Sequence, residues 1–162
     1  HLMVNHPEDI IPMCLEAGAD IISFHPETAN NKIFRLLNQI KDAGKKCGVV
    51  LNPATPAESI AEYAHLLDKV TVMSVDPGYA GQKFIPESLN KIRKLINMRK
   101  NNGYNYLTEI DGSCNEKTFG QIAESGVDVF IVGTSGLFSL HEDVSQAWDR
   151  MIEIFQRETV AA

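Results

Sequence analysis

The sequence predicts an α/β fold in which helices cover a buried parallel sheet. Helical patterns end at glycines that lead directly into short apolar segments, as in EAGADIISFHPE and ESGVDVFIVGTS. Glycine favours the left-handed conformation that ends many helices. The apolar segments are rich in β-forming residues and apolar on both faces, which is typical of strands buried in a parallel sheet. Strands that alternate with helices across short loops imply right-handed crossovers.

The elements follow one another regularly along the chain. The predicted strands are DIISF, KCGVVL, VTVMSV, YLTEI and VDVFIV, and each is expected to lead into a helix. Pro7 suits the first turn of a helix that follows the opening HLMV. Capping boxes predict helix starts at Thr55–Glu58 and Ser139–Glu142. Two apolar stripes indicate helix faces that pack on the sheet: Leu89, Ile92, Leu95 and Ile96, and Val144, Trp148, Met151, Ile152 and Phe155.

Two architectures fit this alternation: an open doubly wound sheet and a (β/α)8 TIM barrel. The barrel needs eight strand–helix units, whereas the chain supplies five and the end of one more strand, HLMV. If HLMV is the end of strand three, the remaining units complete the count to helix eight. We therefore expect residues 1–162 to form a single partial TIM-barrel domain that lacks the first two units and most of strand three.

Composition excludes several classes of protein. The formal net charge is −6, so the surface as a whole does not attract nucleic acid or anionic membranes. No apolar run approaches the roughly 18 residues of a membrane helix. The 3 cysteines are widely spaced, which indicates neither a disulfide framework nor a zinc motif and suits the cytoplasm.

Polar residues gather where predicted strands end, which is where sites form in both architectures. Asp111 ends the strand YLTEI and is equally suited to bind a divalent metal, to move a proton or to cap a helix. Glu109 shares its face but is better explained as an interior polar group. His1 is a candidate metal ligand or a surface residue, and His25 either shapes its loop or touches substrate.

Three loops suit an anionic ligand. The glycines of DPGYAGQ permit close approach of the backbone, although Pro-Gly pairs also form plain turns. The DGS and GTSG loops follow the last two predicted strands, which in barrel enzymes is the usual phosphate site. Met3 and Met73 lie near strand ends, where methionine more often fills a core than lines a site.

Taken in order, HLMV, FHPE, LNPATP, VMSVDPGYAGQKFIP, EIDGSCN and VGTSGLF resemble the ribulose-phosphate 3-epimerase family over essentially the whole chain. EIDGSCN and VGTSGLF are most similar to the D-allulose-6-phosphate 3-epimerase branch. The resemblance implies a TIM barrel that epimerises C3 of a ketose phosphate, converting D-allulose 6-phosphate to D-fructose 6-phosphate. Two carboxylates on opposite faces would exchange the C3 proton through an enediolate. One divalent ion (Zn, Mn, Co, Fe or Mg) would stabilise that charge.

The resemblance also implies roles for individual residues. His1 and Asp111 would bind the metal, and Asp111 would be one of the two acid/base carboxylates. Met3 and Met73 would lie beside the reacting carbons. Substrate and phosphate would be held by Gly78, Tyr79, Ala80, Gly81, Gly112, Ser113, Gly133, Thr134 and Ser135.

The family's HxDxMDG motif, which carries another metal-binding His and the opposite Asp, does not occur in these 162 residues. We therefore expect the isolated chain to be poorly active or inactive. A homo-oligomer is the assembly that the resemblance suggests. The alternatives are the same chemistry on D-ribulose 5-phosphate, a phosphate-binding barrel with other chemistry, and a non-catalytic binding protein. A decarboxylase or synthase would usually place a lysine at a strand end, where none is seen.

Overall fold

The computed structural model describes residues 1–160 and shows a parallel five-stranded sheet with helices packed against it. The strands are β1 (Ile21–Phe24), β2 (Lys46–Leu51), β3 (Lys69–Met73), β4 (Leu107–Asp111) and β5 (Val129–Ile131). They lie side by side in chain order. All five predicted strands are present, and the order of a singly wound sheet excludes the doubly wound alternative.

The helices are α1 (Pro7–Glu16), α2 (Ile33–Asp42), α3 (Glu87–Asn102), α4 (Phe119–Ala123) and α5 (Val144–Val160). Pro7 begins α1, as predicted. Gly103 ends α3 with a φ of 68°, in the left-handed region that the sequence pattern required. No helix within residues 1–160 is both long and apolar enough to cross a membrane.

Both predicted capping boxes are wrong. Residues 55–66 form only short 3₁₀ turns, because Thr55 donates its hydroxyl to Glu27 and Glu58 binds Lys94 at 2.9 Å. Near Ser139 the helix begins later, at Val144, where the Asp143 carboxylate accepts a 3.0 Å hydrogen bond from the amide of Gln146. Each box had the right residue types, but Thr55 and Glu58 bind partners outside their segment, and Asp143 caps the later helix in place of Ser139.

The apolar stripes are only partly buried. Leu89, Ile92 and Leu95 of α3 enter the core as predicted. In α5, Met151 is buried, but Val144 and Trp148 are 60% and 52% exposed. The helix packs on α4 and on the turn at Thr134–Phe138: Ala147 and Met151 are buried, and Phe155 of the predicted stripe packs edge-on against Phe119 of α4. The prediction that Val144 and Trp148 pack inward is therefore wrong for this structure.

The sheet curls strongly. Leu2 pairs in parallel with Phe24 of β1, so His1 lies at one edge of the sheet, four strand positions from Asp111 at the end of β4. Strands are about 4.8 Å apart, which would separate these positions by roughly 19 Å in a flat sheet. Yet His1 Nδ1 lies 3.8 Å from Asp111 Oδ2. This is the curvature of a barrel wall.

The concave face of the wall carries a buried polar group next to apolar strands. Glu109 is 6% exposed and accepts hydrogen bonds from Thr71 at 2.7 Å and from Lys69 at 2.8 Å. Its charge is therefore paired within the sheet. Glu109 is an interior structural group, as the sequence indicated. Because its carboxylate is paired with Thr71 and Lys69, it is unsuited to act as a second catalyst.

Candidate functional site

A cavity of about 520 Å³ opens at the carboxyl ends of the strands. Its floor is formed by Met73, Asp111 and Ile131, which are aligned across three neighbouring strands. Parallel strands bring their ends to one edge, so residues distant in sequence meet there. The cavity is also lined by the loop at residues 75–82, by Met3, by residues 112–114 and by residues 133–135.

The structure brings together nearly all the residues singled out from sequence. Lining the cavity are Met3, Met73, Gly78, Tyr79, Ala80, Gly81, Asp111, Gly112, Ser113, Gly133, Thr134 and Ser135. His1 is not among the lining residues but adjoins Asp111 from the side. The structure adds Val75, Asp76, Pro77, Gln82, Cys114 and Ile131. Met3 is half-exposed, whereas Met73 is buried in the floor.

Asp111 is the carboxylate at the centre of the site. Burial raises the pKa of Asp111, and Lys69 and the amino terminus oppose that shift. The side chain is 27% exposed, so the carboxylate still reaches the cavity. A carboxylate that binds protons more readily than usual and faces a cavity is suited to proton transfer. Asp111 belongs to β4 and caps no helix.

Two side chains in the site can hold a cation. His1 Nδ1 and Asp111 Oδ2 are 3.8 Å apart. Ligands of a tetrahedral zinc ion, each about 2.1 Å from the metal, lie roughly 3.4 Å from each other. Imidazole and carboxylate therefore fit a shared divalent ion after a small movement. Within residues 1–160 no group of three or more His, Cys, Asp or Glu side chains has metal-binding geometry.

The loop at residues 76–82 folds over the cavity and is tied down by one side chain. Gln82 donates to the carbonyls of Asp76 at 2.5 Å and Tyr79 at 3.0 Å. Its own carbonyl accepts a 2.5 Å hydrogen bond from Ser113. Tyr79 at the tip of the loop is 74% exposed. The loop thus has a fixed base and a free tip, which suits a cover for a bound ligand.

The two candidate phosphate loops lie against each other. Asn115 donates to the Ser113 carbonyl at 3.1 Å and to the Ser135 hydroxyl at 3.2 Å, which joins the loop after β4 to the loop after β5. A Cβ atom added at Gly133 would meet nothing within 4 Å. A ligand can therefore approach this backbone closely. Asn115 was not identified as part of this arrangement from sequence, although it stands within the EIDGSCN motif.

His25 was left undecided by the sequence, and the structure places it beside His1. The two Nε2 atoms are 2.9 Å apart, and His25 is 3% exposed. Burial lowers the pKa of His25, and Glu27 opposes that shift. Only the fold reveals this pair, because 24 residues separate its members.

Comparisons with known proteins agree with this architecture. A sequence model of the Ribulose-phosphate 3 epimerase family matches residues 1–138. Ribulose-phosphate 3-epimerase of Aquifex aeolicus is 42% identical over 146 residues, which are 90% of this chain and 65% of that protein. The same-named protein of Escherichia coli is 41% identical over 135 residues, or 83% of this chain and 60% of that protein. That of Buchnera aphidicola is 43% identical over 138 residues, or 85% and 60%.

The chain thus spans about 60% of the length of these relatives. Among solved structures, a mutant tryptophan synthase α-subunit of Pyrococcus furiosus has a TM-score of 0.63 at 15% identity, with 92% of this chain and 60% of that chain covered. The 3-hexulose-6-phosphate synthase of Salmonella typhimurium has a TM-score of 0.59 at 18% identity, with 95% and 69% covered. These likenesses show a TIM-barrel-like fold, and the chain belongs to the ribulose-phosphate 3-epimerase family.

Proposed function

We propose that this chain carries a large part of the active site of a metal-dependent epimerase that inverts C3 of a ketose phosphate. The observation that carries the proposal is the position of Asp111, a carboxylate at the floor of a cavity of about 520 Å³, between His1 and two joined loops. The names of relatives about 40% identical support the same reaction. They favour D-ribulose 5-phosphate over D-allulose 6-phosphate as the substrate.

The chain's residues divide the work as follows. Asp111 accepts the C3 proton from one face of the substrate or returns it there. The loops that contain Ser113 and Ser135 hold the phosphate, which fixes the reacting carbon over the floor. Loop 76–82 covers the substrate and limits the access of water. Met3 and Met73 offer an apolar surface beside the reacting carbons.

A divalent ion, when bound, supplies positive charge where the negative charge of the reaction develops. His1 and Asp111 are the residues of this chain that would hold it. The family resemblance places further ligands and the opposite carboxylate in an HxDxMDG motif, which this sequence lacks. We therefore propose that full activity requires residues beyond these 162. The cytoplasmic location and a homo-oligomer likewise remain predictions.

Substrate choice is tested by comparing two ketoses. The protein would be assayed as residues 1–162 and as a fusion to the upstream region of a relative, with Zn²⁺ or Mn²⁺ added. We expect the extended protein to epimerise D-ribulose 5-phosphate faster than D-allulose 6-phosphate and the short chain to be poorly active. Faster turnover of the hexulose would restore the branch suggested by EIDGSCN and VGTSGLF. Failure with both sugars, with metal shown to be bound, would contradict the proposal.

A further inference from the structure

We propose that His25 is a positioning residue that, together with Glu27, fixes the ring of His1 so that its Nδ1 faces the metal position beside Asp111. This inference rests on the proposed function, because His1 is one of the two metal ligands proposed there. The evidence is a continuous line of polar contacts that runs from Asp111 through both histidines to the loop after β1.

The first contact determines how His1 is oriented. His1 Nε2 lies 2.9 Å from His25 Nε2, while His1 Nδ1 lies 3.8 Å from Asp111 Oδ2. Only one of the two Nε2 atoms can carry the hydrogen that joins them. A metal at Nδ1 requires a bare nitrogen there, so the neutral His1 ring carries its hydrogen on Nε2. His1 then donates to His25, and His25 Nε2 is the acceptor.

The second contact follows from the first. A neutral His25 that accepts at Nε2 must carry its hydrogen on Nδ1. That Nδ1 is buried and has no hydrogen-bond partner within the described residues, yet it lies 3.9 Å from Glu27 Oε2. Buried polar atoms are nearly always partnered. A carboxylate placed this close stabilises the Nδ1–H form, which is the form that the first contact requires.

The third set of contacts fixes Glu27. Its Oε1 accepts from Asn52 Nδ2 at 3.0 Å and from the hydroxyl of Thr55. This leaves Oε2 directed towards His25. Metal-binding histidines usually donate their other ring hydrogen to a group that fixes the ring, and loss of that group weakens metal binding. Here a second histidine is that group, with a carboxylate behind it.

The proton positions are measured by NMR with Zn²⁺ added, because without a metal the Asp111 carboxylate, 3.8 Å from His1 Nδ1, would itself favour a hydrogen on that nitrogen. In the 162-residue chain labelled with ¹⁵N-histidine, the nitrogen chemical shifts distinguish a protonated from a bare ring nitrogen. We expect His1 to carry hydrogen on Nε2 and His25 to carry it on Nδ1. His25 protonated on Nε2 would reverse the direction of the His1–His25 hydrogen bond. That result would overturn the proposal, whether or not the protein is an epimerase.

Variants test the consequence for metal binding. We expect His25→Leu to weaken Zn²⁺ binding, measured against a fluorescent chelator, by on the order of ten- to a hundredfold. His25→Gln keeps an acceptor near the Nε2 position and should recover most of that loss. His65→Leu, which changes an exposed histidine, is the matched control and should leave the affinity unchanged. Amide NMR spectra of each variant establish that it is folded.

The outcomes separate this inference from the proposed function. Equal Zn²⁺ affinity in folded His25→Leu and wild-type protein would overturn the role of His25, even if the protein epimerises sugar phosphates. Zn²⁺ binding too weak to measure in the wild-type chain would count against the metal site of the proposed function. The role of His25, which rests on that site, would then fall with it.

Discussion

Asp111 is held where its charge is disfavoured. It lies between Met73 and Ile131 on adjacent strands, and burial raises the pKa of its carboxyl. A folded-state pKa above the unfolded value contributes stability at low pH, and that contribution is lost as pH rises through the folded pKa. At neutral pH the native state therefore bears the cost of a desolvated carboxylate, which is typical of residues kept for function.

Replacing Asp111 with Asn should therefore stabilise the chain at neutral pH. We expect Asp111→Asn to increase the free energy of unfolding by about 0.5–2 kcal/mol at pH 7. The gain should shrink towards acidic pH, where the wild-type carboxyl is protonated. Urea unfolding at several pH values measures it, with Asp149→Asn, at an exposed position, as the control. A destabilised Asp111→Asn at pH 7 would show that the charge is better compensated than we infer.

Tyr106 determines part of the loss of folding stability at alkaline pH. The side chain is fully buried, and its hydroxyl donates to the Leu95 carbonyl at 2.8 Å. Burial, the main cause, raises the pKa of Tyr106 to about 12. The stability that this group contributes is complete below pH ~10, the unfolded value, and is lost as pH rises towards 12.

Tyr106→Phe should separate these two effects. At pH 7 we expect a loss of about 1 kcal/mol in the free energy of unfolding, because a buried hydrogen bond is removed. Between pH 10 and 11 the variant should lose less stability than wild type, since one buried phenol no longer titrates. Urea midpoints at pH 7, 10 and 11 measure both. Tyr79→Phe, at an exposed site, should follow the wild type throughout, and the same slope in Tyr106→Phe would refute the account.

For single residues, the sequence predicted where a side chain lies in the fold better than it predicted which side chains it contacts. Asp111 could be placed at a strand end because the apolar pattern of YLTEI stops there. The pairing of His1 with His25, and of Thr55 with Glu27, could not be predicted, since each joins residues more than 20 positions apart. Such contacts depend on how the sheet curls, and no local pattern records that.

Among the elements, loop 76–82 owes its shape to Gln82. The side chain makes two hydrogen bonds across the loop, to Asp76 and Tyr79. Removing them should raise the population of the open loop, since together they contribute about 1 kcal/mol. Surface segments of low local stability are also the sites that proteases find.

We expect Gln82→Leu to increase chymotryptic cleavage at Tyr79 about fivefold, the equivalent of that 1 kcal/mol. Gln156→Leu changes an exposed glutamine in α5 and should cleave at the wild-type rate. The rate is followed by mass spectrometry of the fragments under native conditions. Equal rates in both variants would mean that the loop is held by contacts other than those of Gln82.

The turn at Thr134–Phe138 depends on a glycine that has no room for a side chain. A Cβ at Gly136 would overlap the backbone carbonyl of Cys114, whereas one at Gly133 would meet nothing within 4 Å. We expect Gly136→Ala to lower the free energy of unfolding by about 1–3 kcal/mol, the usual cost of overpacking. Gly133→Ala should be nearly neutral, as measured by urea unfolding. Similar losses in both would contradict this packing.

Strands were easier to predict than helix starts. Buried strands are determined by a dense apolar pattern, which the five segments carry. Caps depend on one side chain, and Thr55 and Glu58 each bind a partner outside their own segment. The region at residues 57–66 then lacks the local stabilisation that an α-helix would need, and it forms 3₁₀ turns.

The whole molecule is a curved wall whose two ends face each other across the site. Its curvature brings His1 at one edge within reach of Asp111, and the count of alternating elements predicted this barrel geometry. The exposed faces of Val144 and Trp148 were not predicted, because periodicity shows that a face is apolar and not what covers it. The site's residues were found from their positions at predicted strand ends and from the order of the motifs.

The most direct test of the central claim is exchange of the C3 proton. The protein fused to the upstream region of a relative would be incubated in deuterated water with Zn²⁺ and D-ribulose 5-phosphate, and NMR would follow loss of the C3 proton. We predict deuterium incorporation with inversion, slowed at least about 100-fold by Asp111→Asn and unchanged by Asp149→Asn. Exchange that survives in Asp111→Asn at the wild-type rate would contradict the assignment of Asp111 as the acid/base group.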